Sequence, residues 1–157
     1  MPIVFMADDP YAGWARSFLA SLRDQAPGAE VFCIPYSDAL GEIAALRAEF
    51  GFRMVEADFA AIDAFADECF PASQPRRRNL RKLAALDAPG APYIYLDCDM
   101  LVTAPLGEVA ALLARAEADL VYWATSSDWV YAAEARAEMA ERFPGAPLFS
   151  AGNYAVL

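Results

Sequence analysis

The chain has 157 residues, 58% hydrophobic and 22% charged: enough apolar surface for one domain with a real core, and too much for a disordered chain. Its net charge of −10 repels phosphate backbones and argues against nucleic acid as a partner. It has no histidine, which excludes Ser-His-Asp and Cys-His catalysis and histidine-based zinc sites within these residues.

Pro2 to Met6 is an apolar run of strand length that ends at the turn Ala7-Asp8-Asp9-Pro10. Trp14, Phe18, Leu19 and Leu22 then recur at helical spacing, and the pattern stops at Pro27-Gly28. Glu30 to Ile34 predicts a second strand closed by Pro35, and Ser37 to Phe50 a helix with Gly51 as its stop. Phe52 to Val55 predicts a short third strand, and Phe59 to Phe70 a loosely patterned helix. Pro75 opens a basic helix running to about Leu86, ended by Pro89-Gly90 and Pro92. Tyr93 to Leu96 is a β-rich run that stops at Asp97, with Met100 to Val102 continuing extended. Leu106 to Ala116 predicts an amphipathic helix, Leu120 to Trp123 a strand, Trp129 to Arg142 a helix, and Leu148 to Leu157 a final extended run. Strands that are continuous apolar runs, alternating with helices, predict a three-layer α/β/α, Rossmann-like sandwich on a mostly parallel sheet.

The three cysteines, Cys33, Cys69 and Cys98, are odd in number and lack a metal-clip spacing. They read as reduced thiols, which points to a cytoplasmic setting. The apolar start from Met1 to Phe5 is too short for a signal peptide or a membrane span. The final run stops within a strand-like pattern, so residues 1–157 are expected to form a single ligand-binding domain that is incomplete at its C-terminal side.

Open α/β sheets bind ligands beyond the carboxyl ends of their strands. Three polar loops stand at such ends: Ala7 to Tyr11, Asp97 to Asp99, and Ser150 to Asn153. With this many aspartates an Asp-x-Asp arises about once by chance, so the weight rests on context. Asp97-Cys98-Asp99 follows Tyr93-Ile94-Tyr95-Leu96 directly, which forces two acids out of an apolar strand. Hard oxygen ligands at that spacing suit Mg²⁺ or Mn²⁺ with a diphosphate completing the shell; the plainer alternative is a solvated acidic loop. In the first loop, Asp8 and Asp9 offer carboxylates to a base edge and Tyr11 a ring to stack on. Alternatively Asp9 caps the following helix with Pro10 at its first position.

The basic segment places Arg78, Arg81 and Lys82 on one helical face, with Leu80, Leu83 and Ala84 roughly opposite. Lys82, the only lysine, and Arg78 are the preferred contacts for phosphate or sugar; a solvated charged face is the alternative. In Ser150-Ala151-Gly152-Asn153, Gly152 lets backbone approach a ligand, and Ser150 and Asn153 suit sugar hydroxyls; a simple strand-to-turn step is the alternative.

Taken in order, these motifs resemble the bacterial glycosyltransferases of family 8, which have the GT-A nucleotide-diphospho-sugar transferase fold. The matching residues are Ala7-Asp8-Asp9-Pro10-Tyr11, the pair Lys82-Leu83, the run Tyr95-Leu96-Asp97-Cys98-Asp99-Met100-Leu101-Val102, and Phe149-Ser150-Ala151-Gly152. The resemblance implies a metal-dependent, retaining glycosyltransferase acting on a nucleoside-diphosphate sugar, most simply a UDP-sugar. In that reading Asp97 and Asp99 bind Mn²⁺ or Mg²⁺ bridging the donor diphosphate. Asp8 reads the nucleobase, Tyr11 stacks on it, Asp99 also touches ribose or sugar, and Ala7, Asp9, Cys98, Ser150, Gly152 and Asn153 complete the donor site. The acceptor, whether carbohydrate, lipid or protein, is not specified. Two departures stand out. Ser150 replaces the family's usual asparagine, and the family's third metal ligand, a downstream histidine, has no counterpart here. The alternatives are a haloacid-dehalogenase-like Mg²⁺ phosphohydrolase using Asp97 as nucleophile, and a domain that binds nucleotide sugar without catalysing transfer.

Overall fold

A computed structural model of the chain describes residues 1–71, 73, 74, 77–86, 92–117, 119–122, 137, 138, 141, 142, 144 and 154–156. Strand β1 (Ile3–Ala7) runs into a 3-10 turn (Asp9–Tyr11) and helix α1 (Ala12–Gln25). Then come β2 (Val31–Pro35), α2 (Gly41–Phe50), β3 (Arg53–Met54), α3 (Phe59–Cys69) and a 3-10 helix (Arg77–Leu86). The remaining elements are β4 (Tyr93–Tyr95), α4 (Gly107–Leu113), β5 (Leu120–Tyr122) and β6 (Tyr154–Val156).

The strands form one sheet in the order β3-β2-β1-β4-β6-β5. β1 pairs in parallel with β2, residue for residue from Ile3–Val31 to Ala7–Pro35, and with β4 through Ile3–Ile94 and Val4–Tyr95. β3 continues the parallel set beside β2, and β6 is antiparallel to both β4 and β5. The expected mostly parallel three-layer sandwich is therefore the observed one.

Alternation along each strand divides two cores across the sheet. Ile3, Phe5, Cys33, Ile94 and Leu96 point toward α1 and α2, where Phe5 meets Phe18 and Phe52 at ring separations of 5.5 and 5.4 Å. Val4, Phe32, Ile34, Tyr93 and Tyr95 point to the other face, where Phe59, Ile62, Ala84 and Ala85 cover them. Both faces of the central strands are thus buried, which explains their unbroken apolar sequence.

Helix α1 buries Ala12, Ala15, Phe18, Leu19 and Leu22. Trp14, expected on this stripe, is instead 60% exposed, because small alanines hold the positions nearest the sheet. Helix α2 ends at Gly51 with φ 74°, the left-handed conformation its stop signal requires. Met100 to Val102 is not a strand but part of the irregular segment leading to α4. The expected 129–142 helix is helical at 137, 138, 141 and 142, and its other positions lie outside the described residues. No helix among the described residues is long and apolar enough to cross a membrane.

The basic segment differs from expectation in kind. It is a 3-10 helix over Arg77–Leu86, with three residues per turn rather than an α-helical 3.6. Positions three apart therefore share a face. Asn79 and Lys82 fall on one side, and Arg78 and Arg81 on another. The grouping of Arg78, Arg81 and Lys82 on a single face does not survive this change of period.

Candidate functional site at the β1–β4 crevice

β1 lies at the centre of the parallel set, with the chain proceeding to β2 and β3 on one side and returning to β4 on the other. Loops leaving two such neighbouring strands part in opposite directions and open a crevice at the sheet's carboxyl edge. A cleft of about 350 Å³ occupies this place, within the usual range for small-molecule sites. Met6, Tyr11 and Tyr36 line it from the β1 and β2 ends, Tyr95, Asp97, Cys98 and Asp99 from β4, and Asn79 and Lys82 from the 3-10 helix.

The acid loop is held from above. Lys82 Nζ donates to Asp97 Oδ1 at 2.8 Å, and the Tyr95 hydroxyl donates to the same oxygen at 3.2 Å. The ammonium also stands 4.7 Å from the Tyr95 ring centroid, a cation–π arrangement. Asp99 is exposed beside this cluster, while Cys98 is buried between the two acids. Among the described residues, no third histidine, cysteine, aspartate or glutamate joins Asp97 and Asp99 in a metal-sized group.

The first loop divides its two acids. Asp9 accepts from the backbone amides of Gly41, Glu42 and Ile43 at 2.9, 2.8 and 3.2 Å, so it caps α2 across the chain, not the helix that follows it. With three amides on its carboxylate, Asp9 holds the loop against the start of α2. Asp8 is only 4% exposed; its Oδ2 accepts from the Ser37 hydroxyl at 2.6 Å, and its Oδ1 has no hydrogen-bond partner among the described residues. A buried acceptor without a donor costs stability, and functional sites are where proteins retain one. Tyr11 is 44% exposed and meets Tyr36 edge-on at 5.8 Å.

Of the basic residues, Lys82 enters the cleft and Arg78 does not line it. Arg81 is 3% exposed and wholly structural. It grips Asp63 with two nitrogens at 2.9 and 2.5 Å, donates to the Pro35 carbonyl at 3.1 Å, and stacks on Phe59 at 5.2 Å. This clamp hangs the 3-10 helix on the end of β2 and so sets Asn79 and Lys82 over the cleft. Ala7 ends β1 beneath the cleft, and its carbonyl accepts from the Tyr36 amide at 3.0 Å. Ser150, Gly152 and Asn153 lie outside the described residues. Tyr36, Asn79 and Tyr95 were not foreseen as site residues. Tyr36 had a usable signal, since it follows the apolar run ending at Pro35 just as Asp8 follows Ala7.

Burial pushes the Cys98 thiol up to about 12, with the negative charges of Asp99 and Asp97 adding to it. Burial likewise raises Cys33 far above the ordinary thiol range. Thiolate is the reactive form, so both should be inert in the native protein, whereas Cys69 is exposed. Titration with an aromatic disulfide reagent at pH 8 should find one rapid thiol natively and three in denaturant; rapid reaction of more than one would contradict the packing described.

No family model and no curated protein matches the sequence. Solved structures do. The galactosyltransferase LgtC, in complex with donor and acceptor sugar analogues, aligns with a TM-score of 0.64 at 23% identity over 99% of this chain and 57% of its own. An active-site mutant of LgtC gives 0.66 at 22% identity, with the same coverage. Mouse xyloside xylosyltransferase 1 in its apo form gives 0.65 at 16% identity, over 99% of this chain and 66% of its own. The fold is that of the GT-A glycosyltransferases. The chain spans 57% to 66% of the length of these GT-A proteins. Within the GT-A fold described here, the Asp-x-Asp pair stands at the carboxyl end of β4, the fourth strand in the chain.

Proposed function

We propose that this chain carries the donor-binding half of a glycosyltransferase, which moves a sugar from a nucleoside-diphosphate sugar to an acceptor hydroxyl. The observation that carries the reading is the convergence of Tyr11, Lys82, Asp97 and Asp99 on one cleft at the β1–β4 switch point. The aromatic side suits a nucleobase, and the acidic and basic side suits a cation with its diphosphate. Likeness of the fold to known glycosyltransferases supports the same assignment. A UDP-sugar donor, a Mn²⁺ or Mg²⁺ ion and retention of anomeric configuration follow from the motif resemblance.

Asp97 and Asp99 fit such an ion. Both are hard oxygen donors on one cleft wall, and Asp97 already faces a positive charge. Mg²⁺ commonly binds through one or two carboxylates together with waters and substrate phosphates, so two protein ligands are an adequate start. When bound, the ion would neutralise charge building on the leaving nucleoside diphosphate. The chain's own residues then have separable tasks. Tyr11, braced by Tyr36, offers a flat face to the base. Asp8 offers a buried acceptor, Oδ1, to a base N–H, while Ser37 holds its other oxygen. Lys82 supplies a mobile positive charge to phosphate oxygens.

The haloacid-dehalogenase alternative is the less supported reading, since proteins of that kind set their acid pair after the first strand, and here the pair follows β4. A binding domain without turnover differs from an enzyme in one readout, the release of UDP from a UDP-sugar. Calorimetric titration of UDP in the presence of Mn²⁺ should give micromolar binding to the wild-type chain. Asp97→Ala should weaken it at least about 10-fold, corresponding to one lost charged contact. Equal affinity in both proteins would remove Asp97 from the site and the proposal with it.

A further inference from the structure

Asp97 Oδ1 carries two donors, one of them a full positive charge. The Lys82 and Asp97 side chains are 21% and 35% exposed, so the pair is neither sealed in the core nor fully solvated. An ammonium is a compact point charge on a flexible four-carbon stem, able to leave one oxygen for another. A divalent ion on Asp97 repels it and competes for the same carboxylate. Lys82 has somewhere to go: its three-residue period sets it beside Asn79 on the cleft wall, where an ammonium released from Asp97 still faces the cavity.

We infer that Lys82 is the resident counter-ion of Asp97, and that the divalent cation binds by exchange with it, releasing Lys82 to the donor diphosphate. The inference rests on the cation reading given above. Its consequence is coupling: a cation frees the charge that a diphosphate needs, and a diphosphate captures the charge that would otherwise oppose the cation. Cation and nucleoside diphosphate thereby bind with positive cooperativity, reciprocal in both directions.

The test is titration of Mn²⁺, read from the electron paramagnetic resonance signal of the free ion, with and without UDP. Wild type is compared with Lys82→Met, which removes the charge at similar length, and with Asp97→Asn. Without UDP, Lys82→Met should bind Mn²⁺ about fivefold more tightly than wild type, since a part-exposed competitor has gone. UDP should then tighten Mn²⁺ binding about 10-fold less in Lys82→Met than in wild type. Lys82→Gln, which keeps a donor without the charge, should show the same ordering and serves if the methionine variant melts early. Unchanged or weaker Mn²⁺ affinity in both Lys82 variants, with Asp97→Asn still abolishing it, would overturn the exchange and leave the cation reading standing. Absence of Mn²⁺ binding in every protein would overturn both.

Discussion

Replacing Arg81 with methionine should lower stability by about 2 kcal/mol, between the scales for a surface and a fully buried ion pair, because Arg81 is buried while the Asp63 side chain is 30% exposed. For a chain of this size that is roughly a 6 °C fall in melting temperature. Methionine fills most of the volume, so the loss is of charge and hydrogen bonds rather than packing. Asp63 and the Pro35 carbonyl both lose their donor, and Phe59 loses the guanidinium stacked on it. The effect is also pH-dependent. The Arg81 hydrogen bonds hold the Asp63 carboxyl below its usual value, against a smaller opposing push from burial; the charges of Arg81, Arg78 and Arg77 assist. A carboxylate whose folded value lies below its unfolded value of about 3.9 stabilises fully above about pH 4, and that contribution fades as pH falls through the folded value. The deficit of Arg81→Met against wild type should therefore be largest near neutrality and shrink below about pH 4. Urea melts at pH 7 and pH 3.5 measure it. An equal deficit at both would show that the pair with Asp63 is not its source.

Asp8→Asn should separate binding from stability. The asparagine oxygen can still accept from Ser37, which leaves its amide nitrogen where Oδ1 now lies buried with no donor among the described residues. Removing a buried, half-satisfied charge is expected to leave the melting temperature unchanged or raise it. If Asp8 reads a base N–H, the new amide sets donor against donor, and UDP affinity should fall roughly 10- to 100-fold, the scale of 1–3 kcal/mol for a mispaired buried group. Calorimetry with UDP and Mn²⁺, beside a thermal melt, measures both quantities. Retained affinity would show that the orphaned oxygen serves something other than the nucleobase.

The layers of the fold were legible because buried parallel strands write themselves as unbroken apolar runs. Val4, Phe5, Ile34 and Tyr95 fall where that pattern put them. The acid pair was legible for the opposite reason, as charge interrupting such a run. What the sequence did not disclose depended on partners distant along the chain. Asp9 adjoins one helix but caps another 32 to 34 positions on, and local spacing carries no trace of that. Arg81 and Lys82 are neighbours of similar charge, yet one is a buried clamp and the other a cleft residue. The choice between them turned on a 3-10 rather than α-helical period, and on Asp63 waiting across from one of them. Asn79 entered the cleft through the same period.

The pairing of β4 with β1 makes the crevice a product of contacts distant along the chain. Val4 and Tyr95 lie about 90 positions apart, so bringing the Asp97 loop beside the Tyr11 loop closes a long stretch of chain. A β4 shifted along β1 would carry Asp97 away from Tyr11 and erase the cleft, while the bonds from Asp9 to α2 would be untouched.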